Sequence, residues 1–173
     1  MLTIVSASLH PNSKSRLLAK EAMSAAQELN IKAILVDLRD TPLTLCDGHE
    51  SFSQPHVETL ANTLRNSTAV LFASPVYNYD VSSALKNLIE HVGSELQEKV
   101  VGFLAAAGGQ RSYMSALPFL NSLMLDFRTI IVPRHVHAGP ESFGDDSITD
   151  FDTRERIKAL VQYTNKLAQA LTD

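Results

Sequence analysis

The stretch Val5-Ser6-Ala7-Ser8-Leu9-His10-Pro11-Asn12-Ser13-Lys14-Ser15-Arg16-Leu17-Leu18 joins an apolar run to a helical pattern through a loop rich in hydroxyl groups. The run that precedes the loop, residues 2–5, is short and rich in β-branched residues, which predicts a buried strand. Apolar side chains then recur at helical spacing as far as Leu29, so a helix is predicted from about Ser13. The chain therefore opens as a strand, a loop and a helix.

The start of this helix is a candidate anion site. The amides of a first helical turn have no partner within the helix, and they lie at the positive end of its dipole. Ser8, Ser13 and Ser15 can add hydroxyl donors, and a phosphate group fits such a set of donors. The competing interpretation is that Asn12 or Ser13 is only the N-cap of the helix and that the other serines fill the loop.

Composition limits the class of protein. The chain has 173 residues, of which 45% are hydrophobic and 20% charged, so we expect residues 1–173 to form one domain with a sizeable core. A net charge of -4 argues against a nucleic-acid surface. Cys46 is the single cysteine and stands in no metal-ligand spacing, which favours a reducing cytoplasm. No leader-like segment or bilayer-length apolar run is present, so we expect no membrane partner.

Further apolar runs predict four more strands, at residues 34–38, 69–73, 100–105 and 129–132. The third of these five strands should stop at Ser74-Pro75, because proline cannot donate to a sheet ladder. Helical spacing predicts four more helices, at residues 55–66, from a cap at Asp80 or Ser82, at residues 114–127 with a kink at Pro118, and from about Asp150. Strands that alternate with helices in this way predict an α/β sandwich, with a parallel sheet covered on both faces.

In open parallel sheets, ligands bind outside the carboxyl ends of the strands. Three distinctive loops reach that edge, residues 8–15, 75–80 and 106–111. They offer, in turn, anion donors, an apolar wall that carries an amide, and a glycine pair against which a flat ring can lie. The competing interpretations are that Gly108-Gly109 is a flexible turn and that the tyrosines of the second loop are ordinary surface aromatics.

Two phosphate-binding motifs are absent, and their absence limits the kind of phosphate ligand that the sequence predicts. The chain lacks both G-x-G-x-x-G and G-x-x-x-x-G-K-[ST], so a monophosphate suits it better than a pyrophosphate or a triphosphate. A magnesium-dependent phosphoacceptor site requires an acidic pair after the first strand, and this chain has none there. Asp37 is expected only to cap or solvate the second strand. His135 and His137 alternate and so share a face, but no third ligand stands at a suitable spacing, and no metal site is predicted.

On these residues, the chain resembles the NAD(P)H-dependent FMN reductase family of the flavodoxin-like fold, over roughly residues 2–135. The first loop is similar to the family's G-S-x-R-x-x-S-x-S/N motif, with Ala7 in place of glycine and His10 in place of arginine. The most specific signal is Ser74-Pro75-Val76-Tyr77-Asn78 followed by Ala84-Leu85-Lys86-Asn87, which matches T/S-P-x-Y-N/K and A-L-K-N/T. The stretch Ala107-Gly108-Gly109-Gln110-Arg111 corresponds to the family's third, glycine-rich loop.

This resemblance implies a five-stranded parallel sheet of order 2-1-3-4-5, FMN as cofactor and NAD(P)H as co-substrate. A hydride would pass to flavin N5 and on to free flavin, a quinone, an azo compound or a metal oxyanion. Since the flavin carries that chemistry, no catalytic side chain is named. Arg16 or Arg111 is a candidate for the adenylate phosphate of NADPH, although a solvated charge is the commoner role. The expected cofactor-binding residues are Ser8, His10, Ser13, Lys14, Ser15, Pro75, Val76, Tyr77, Asn78, Ala107, Gly108, Gly109 and Gln110.

Two other function classes compete with a reductase. A flavodoxin-type one-electron carrier is usually much more acidic than this chain, and a regulatory α/β module would want the acidic phosphoacceptor cluster that is missing here. Small-molecule electron acceptors and a second copy of the chain are the expected partners. The apolar stripes of the third and fourth helices predict a homodimer or homotetramer, with contacts through Leu88, Val92, Leu120 and Met124.

Overall fold

The sheet confirms the predicted architecture. The computed structural model describes residues 1–171, and its strands pair in parallel in the order β2-β1-β3-β4-β5, as expected for a flavodoxin-like sandwich. A short sixth strand, which was not predicted, also pairs with β4. The strands are β1 (Leu2–Ser6), β2 (Ala33–Asp37), β3 (Ala69–Pro75), β4 (Val100–Ala106), β5 (Ile130–Ile131) and β6 (Val136–Ala138).

Helices cover both faces of the sheet. One core cluster joins the sheet to two helices through residues such as Leu18 and Leu160, and a second cluster joins its other face to three helices through residues such as Leu60, Leu85 and Leu120. The first face carries α1 (Lys14–Glu28) and α5 (Phe151–Ala170). The second carries α2 (Pro55–Arg65), α3 (Ser83–Val92) and α4 (Leu117–Phe127). Within residues 1–171, no helix combines the length and the apolar character needed to cross a membrane.

Two prolines behave differently from the prediction. β3 does not stop at Ser74 but runs through Pro75, which pairs with Ala106. Pro75 is the last residue of the strand, and the next donor is the amide of Val76, which bonds the carbonyl of Ala106 at 2.8 Å. Pro118 causes no kink within α4, because it lies in the first turn, where its missing N–H would have no partner anyway.

The segment before α4 was also assigned wrongly. Residues 114–116 were predicted to be α-helical, but they belong to a 3₁₀ helix (Gln110–Ala116), and α4 begins at Leu117. In addition, the predicted strand at residues 129–132 is reduced to the two residues of β5. Both errors fall where the chain turns at the edge of the sheet.

The residues predicted to form a subunit contact lie mostly in the core of this chain. Leu88, Val92 and Leu120 are 0%, 2% and 3% exposed, and all three pack against the sheet. Met124 alone among the four is accessible, at 41%. Helical periodicity correctly identified a buried stripe, but the surface that buries it is the sheet and not a second subunit.

Candidate functional site

Strands β1, β3 and β4 end side by side at the carboxyl edge of the sheet. Ser6 is opposite Ala73, and Pro75 is opposite Ala106. The three segments that leave these ends are called loop one (residues 7–13), loop two (residues 76–82) and loop three (residues 107–111). They are adjacent because the register of the strands places their starts on neighbouring strands.

A buried serine ties loop one to loop two. The Ser82 hydroxyl donates a hydrogen bond to the carbonyl of Ala7 at 2.5 Å and accepts one from the amide of Leu85 at 3.2 Å, so it caps α3. The amide of Ser82 donates to the hydroxyl oxygen of Ser74 at 3.0 Å. The ends of β1 and β3 and the start of α3 are therefore held at one point. Of the two predicted caps, Ser82 is the one used.

Loop one ends in the cap of α1. The hydroxyl oxygen of Ser13 accepts a hydrogen bond from the amide of Arg16 at 3.2 Å and lies 2.9 Å from the hydroxyl of Ser15. Ser13 is therefore the N-cap, as the simpler interpretation held. Ser15, Ser8 and Ser13 are 0%, 2% and 8% exposed, so Ser13 is the most accessible of the three serines. The first-turn amides of α1 lie at the positive end of the helix dipole, where an anion is favoured.

Arg16 neither stands free to bind the adenylate phosphate of NADPH nor points into solvent, the two roles considered for it. Its guanidinium makes a two-pronged ion pair with Asp37 at the end of β2, at 2.5 and 3.1 Å, and the two side chains are only 11% and 16% exposed. It also donates to the carbonyls of Pro11, His10 and Ser8 at 3.0 to 3.4 Å. Arg16 therefore stabilises the conformation of loop one through these hydrogen bonds. Asp37 is its partner and not merely a cap.

A segment that the sequence did not mark, residues 139–146, closes the site between loops one and three. The Lys14 ammonium donates to the carbonyls of Gly144 and Asp145 at 2.6 and 3.2 Å. The Gln110 side-chain amide donates to the carboxylate of Glu141 at 2.6 Å. Two residues predicted to bind the cofactor thus contact this segment in the structure. Only its glycines and proline distinguished it in the sequence, and they signal a loop without a role.

Loop two contains a tight turn in an unfavourable backbone conformation. The amides of Tyr77 and Asp80 each donate to the other residue's carbonyl at 2.9 Å. The two residues between them have positive φ angles, 51° at Asn78 and 64° at Tyr79. Asparagine tolerates this left-handed region, whereas a tyrosine there is a true outlier. Such strain is found where a fixed loop shape matters for function.

Loop three offers open backbone. A Cβ built on Gly108 or on Gly109 would meet nothing within 4 Å, and neither glycine lies in the left-handed region, since the φ angle of Gly109 is 170°, which is extended backbone. A side chain at either position would therefore fit without a clash within the protein. The effect of glycine here is to leave the peptide groups of residues 108 and 109 accessible. Between loops two and three lies an open cleft of about 670 Å³, lined by Val76, Asn78, Tyr79, Gly108, Gly109, Gln110, Arg111 and Ser112. A planar ring system fits a space of this size.

Two buried histidines hold loop three and the 3₁₀ helix that follows it. His137 Nε2 lies 3.1 Å from the Gly109 carbonyl, and His135 Nε2 lies 3.0 Å from the Tyr113 carbonyl. A ring nitrogen that bonds a carbonyl must carry the proton, so both rings are Nε2–H donors. Burial lowers the pKa of His135, which keeps that ring neutral. The predicted common face is confirmed, and each ring positions a different carbonyl.

Comparison with known proteins agrees with this geometry. Residues 1–142 match the model of a family described as NADPH-dependent FMN reductase. The NAD(P)H-dependent FAD/FMN reductase of Geobacillus thermodenitrificans is 27% identical over 143 residues, 81% of this chain and 76% of that protein. The NAD(P)H:quinone oxidoreductase of Solanum tuberosum is 26% identical over 175 residues, 95% of this chain and 90% of that protein.

Among solved structures, the flavoenzyme NAD(P)H:(acceptor) oxidoreductase FerB from Paracoccus denitrificans superposes with a TM-score of 0.77. The superposition covers 98% of this chain and 97% of that one, at 19% identity. At this level of identity, the likeness establishes the fold alone.

Substitution of Ser13 tests the anion site. Ser13→Ala removes a donor to a charged group, worth roughly 1.5–3 kcal/mol, so FMN affinity should fall by about ten- to a hundredfold. Ser13→Asp should weaken FMN further, because its carboxylate repels the phosphate, yet it should still cap α1 and leave the apo melting temperature nearly unchanged. FMN fluorescence titration and circular dichroism of the apo-protein measure the two effects. Ser94→Asp, at the opposite end of the sheet, is the matched control. If Ser13→Asp binds FMN as tightly as the wild type does, the phosphate does not lie beside Ser13.

Substitution of His137 tests how loop three is held. His137→Ala leaves the Gly109 carbonyl with only the Ser112 hydroxyl as donor, so FMN should bind up to about tenfold more weakly, the value of one hydrogen bond. His137→Gln can still donate and should recover part of that loss. The exposed His56→Ala serves as the control for loss of a histidine. Equal FMN affinity in His137→Ala and wild type would show that loop three does not depend on this bond.

Proposed function

Because the chain belongs to the NADPH-dependent FMN reductase family, we propose that residues 1–173 form one FMN-binding domain whose three loops hold the flavin while NAD(P)H reduces it. The observation that carries this proposal is the meeting of the three loops at one edge of the sheet. An anion-binding helix start, a strained loop and an open glycine backbone come together there. Each of these three features also occurs in proteins that bind no flavin, and it is their meeting at one edge that supports the proposal.

The donor set suits the phosphate of FMN. The amides of Lys14 and Ser15, at the start of α1, and the Ser13 hydroxyl would hold that group. The cations beside this site are engaged elsewhere, since Arg16 pairs with Asp37 and Lys14 donates to the carbonyls of residues 144 and 145. Ser8 and Ser15 would act by fixing the loop and the Ser13 hydroxyl, and the exposed His10, which accepts a hydrogen bond from the amide of Asn12, would help to shape the loop.

The cleft between loops two and three suits the ring system. Pro75, Val76, Tyr77 and Asn78 would form one wall, and Ala107 to Gln110 the other. The amides of Gly108 and Gly109 would donate to negative charge at the pyrimidine edge of the ring. The strained turn at Asn78 and Tyr79 would keep the first wall in place when ligands exchange.

The chemistry that FMN supplies when bound is acceptance of a hydride from the nicotinamide and delivery of two electrons to a second acceptor. The protein's residues bind and orient, and no side chain of the site is assigned proton transfer. The proposed acceptors are free flavin, quinones, azo compounds or metal oxyanions. The relative from Solanum tuberosum, named as a quinone oxidoreductase, supports the quinone among them.

Location and assembly complete the proposal. A cytoplasmic location is supported by the single free cysteine, Cys46, which suits a reducing compartment. A homodimer or homotetramer is supported by the outer face of α4, where Met124 and Leu125 are 41% and 86% exposed. Met124 is the accessible member of the stripe that the sequence suggested, and Leu125 adds to it.

The test is reduction of the bound flavin by NAD(P)H without any other protein. Anaerobic addition of NADPH or NADH to the FMN-loaded protein should bleach the flavin absorbance, and air should restore it with turnover of the nicotinamide. The control is the same mixture with free FMN and no protein. If the bound flavin is reduced only when a separate reductase is added, the chain is an electron carrier of the flavodoxin type and the proposal fails.

A further inference from the structure

The edge of the sheet beyond β4 contains a two-residue bulge. Ile131 pairs with Val101 and Val136 pairs with Leu104, so five steps along the outer chain match three along β4. The extra residues include Pro133, which cannot donate to the ladder, and Arg134, whose φ angle of 60° is left-handed. Bulges of this kind turn side chains away from the sheet and are common beside functional sites.

The bulge opens a cleft between the sheet edge and α5, which we call the edge cleft. Its volume is about 830 Å³, within the range of small-molecule sites. It shares no lining residue with the cleft between loops two and three. Apolar side chains, two tyrosines and three cations line it, chiefly Val132, Leu160, Tyr113, Tyr163, Arg134, Arg156 and Lys166.

The charge of the edge cleft is opposite to that of the chain. The protein carries a net charge of -4, yet none of the described residues that line this cleft is an aspartate or a glutamate. Arg156 has only a loose pair with Asp152, at 3.8 Å, and that carboxylate is 78% exposed. Within residues 1–171, neither Arg134 nor Lys166 forms an ion pair. Among the described residues, the cleft therefore has an excess of positive charge that only the loose pair with Asp152 offsets.

The positions on α5 make one continuous surface. Arg156, Leu160, Tyr163 and Lys166 follow each other at intervals of three or four residues, so they share a face of the helix. Burial is the main cause of the lowered pKa of His135, and the charge of Arg156 adds to it, which indicates that the guanidinium lies near this wall. An aromatic surface and two guanidinium groups are thus presented together.

We propose that the edge cleft binds an aromatic phosphate of nucleotide size, with its ring against Tyr113 and Tyr163 and its phosphate on Arg134 and Arg156. Guanidinium groups match phosphate oxygens in pairs, and tyrosine rings stack on planar bases. The chemistry shared by the candidate ligands is that of an adenylate, either a free nucleotide or the adenylate end of NAD(P)H. Only the second source rests on the proposed function.

A ligand in the edge cleft would contact the segment that carries loop three. The Tyr113 ring stacks on His135 with centroids 4.6 Å apart, and its carbonyl is the one that His135 holds. His137, two residues further along the chain and within β6, bonds the Gly109 carbonyl. The edge cleft is therefore joined to the cleft between loops two and three through His135 and His137, a link through which a ligand in either cleft can affect the affinity of the other.

The test is calorimetric titration with adenosine 5′-monophosphate of the full chain saturated with FMN, so that the flavin site is filled. The wild type should bind, and Arg156→Gln should bind about tenfold or more weakly, as expected for loss of a charge-assisted phosphate contact. Arg134→Gln together with Arg156→Gln should lose binding further. Lys20→Gln, an exposed lysine on α1, removes the same charge elsewhere and should bind as the wild type does.

Kinetics with NADPH identify the source of the ligand. Competition between the monophosphate and NADPH, with KM but not kcat raised in Arg156→Gln, assigns the cleft to the adenylate end of the co-substrate. Binding without competition, with KM unchanged, assigns it to a free nucleotide, and both results support the site. Absence of binding at millimolar monophosphate, or equal affinity in Arg156→Gln and wild type, would overturn it. A change of oligomeric state in the variants without a change in binding would also overturn it, and would indicate a second copy of the chain as the occupant.

Discussion

The buried hydroxyl of Ser82 is the interaction on which the geometry of the site depends. It joins the end of β1, through Ala7, to the start of α3, through Leu85, while the Ser82 amide reaches Ser74 near the end of β3. A buried carbonyl or amide that lacks such a partner costs free energy, so these groups hold one another in a single arrangement. Loops one and two consequently keep a fixed separation, and the strain at Tyr79 can persist.

The electrostatic design of the site follows from a second buried contact. Two cations lie in the first turn of α1: Lys14 donates to the carbonyls of residues 144 and 145, and Arg16 is neutralised by Asp37 and donates its remaining N–H groups to carbonyls of loop one. Positive potential at the proposed phosphate site therefore comes from the helix start and its amides. Cationic side chains are concentrated at the edge cleft instead, which separates the two proposed anion sites by the kind of donor as well as by place.

Local sequence signals predicted what local structure determines. The apolar runs predicted the strands within a residue or two. Ser13, one of the two cap candidates, caps α1, and the last helix begins beside Asp150 as predicted. The three loops meet as strand order requires. Contacts distant in sequence were not predictable, such as Arg16 with Asp37, or Lys14 with the carbonyls of residues 144 and 145. The alternation of His135 and His137 indicated extended chain there, but β6 was not predicted as a separate strand because its three residues carry too little periodicity. The stripes of α3 and α4 were recognised as buried, but periodicity does not identify the surface that buries them.

Hydrogen–deuterium exchange of the apo-protein and the FMN-saturated protein measures whether the flavin site is built from the three loops. We predict that exchange slows on binding in two separate segments, loop one with the first turn of α1 and loop three. The reason is that the phosphate engages amides in the first segment and the ring engages amides in the second. Amides of α2 and β2 should exchange at unchanged rates. Slowed exchange confined to one of these segments, or found at the edge cleft with loops one and three unaffected, would contradict a flavin site built from the three loops.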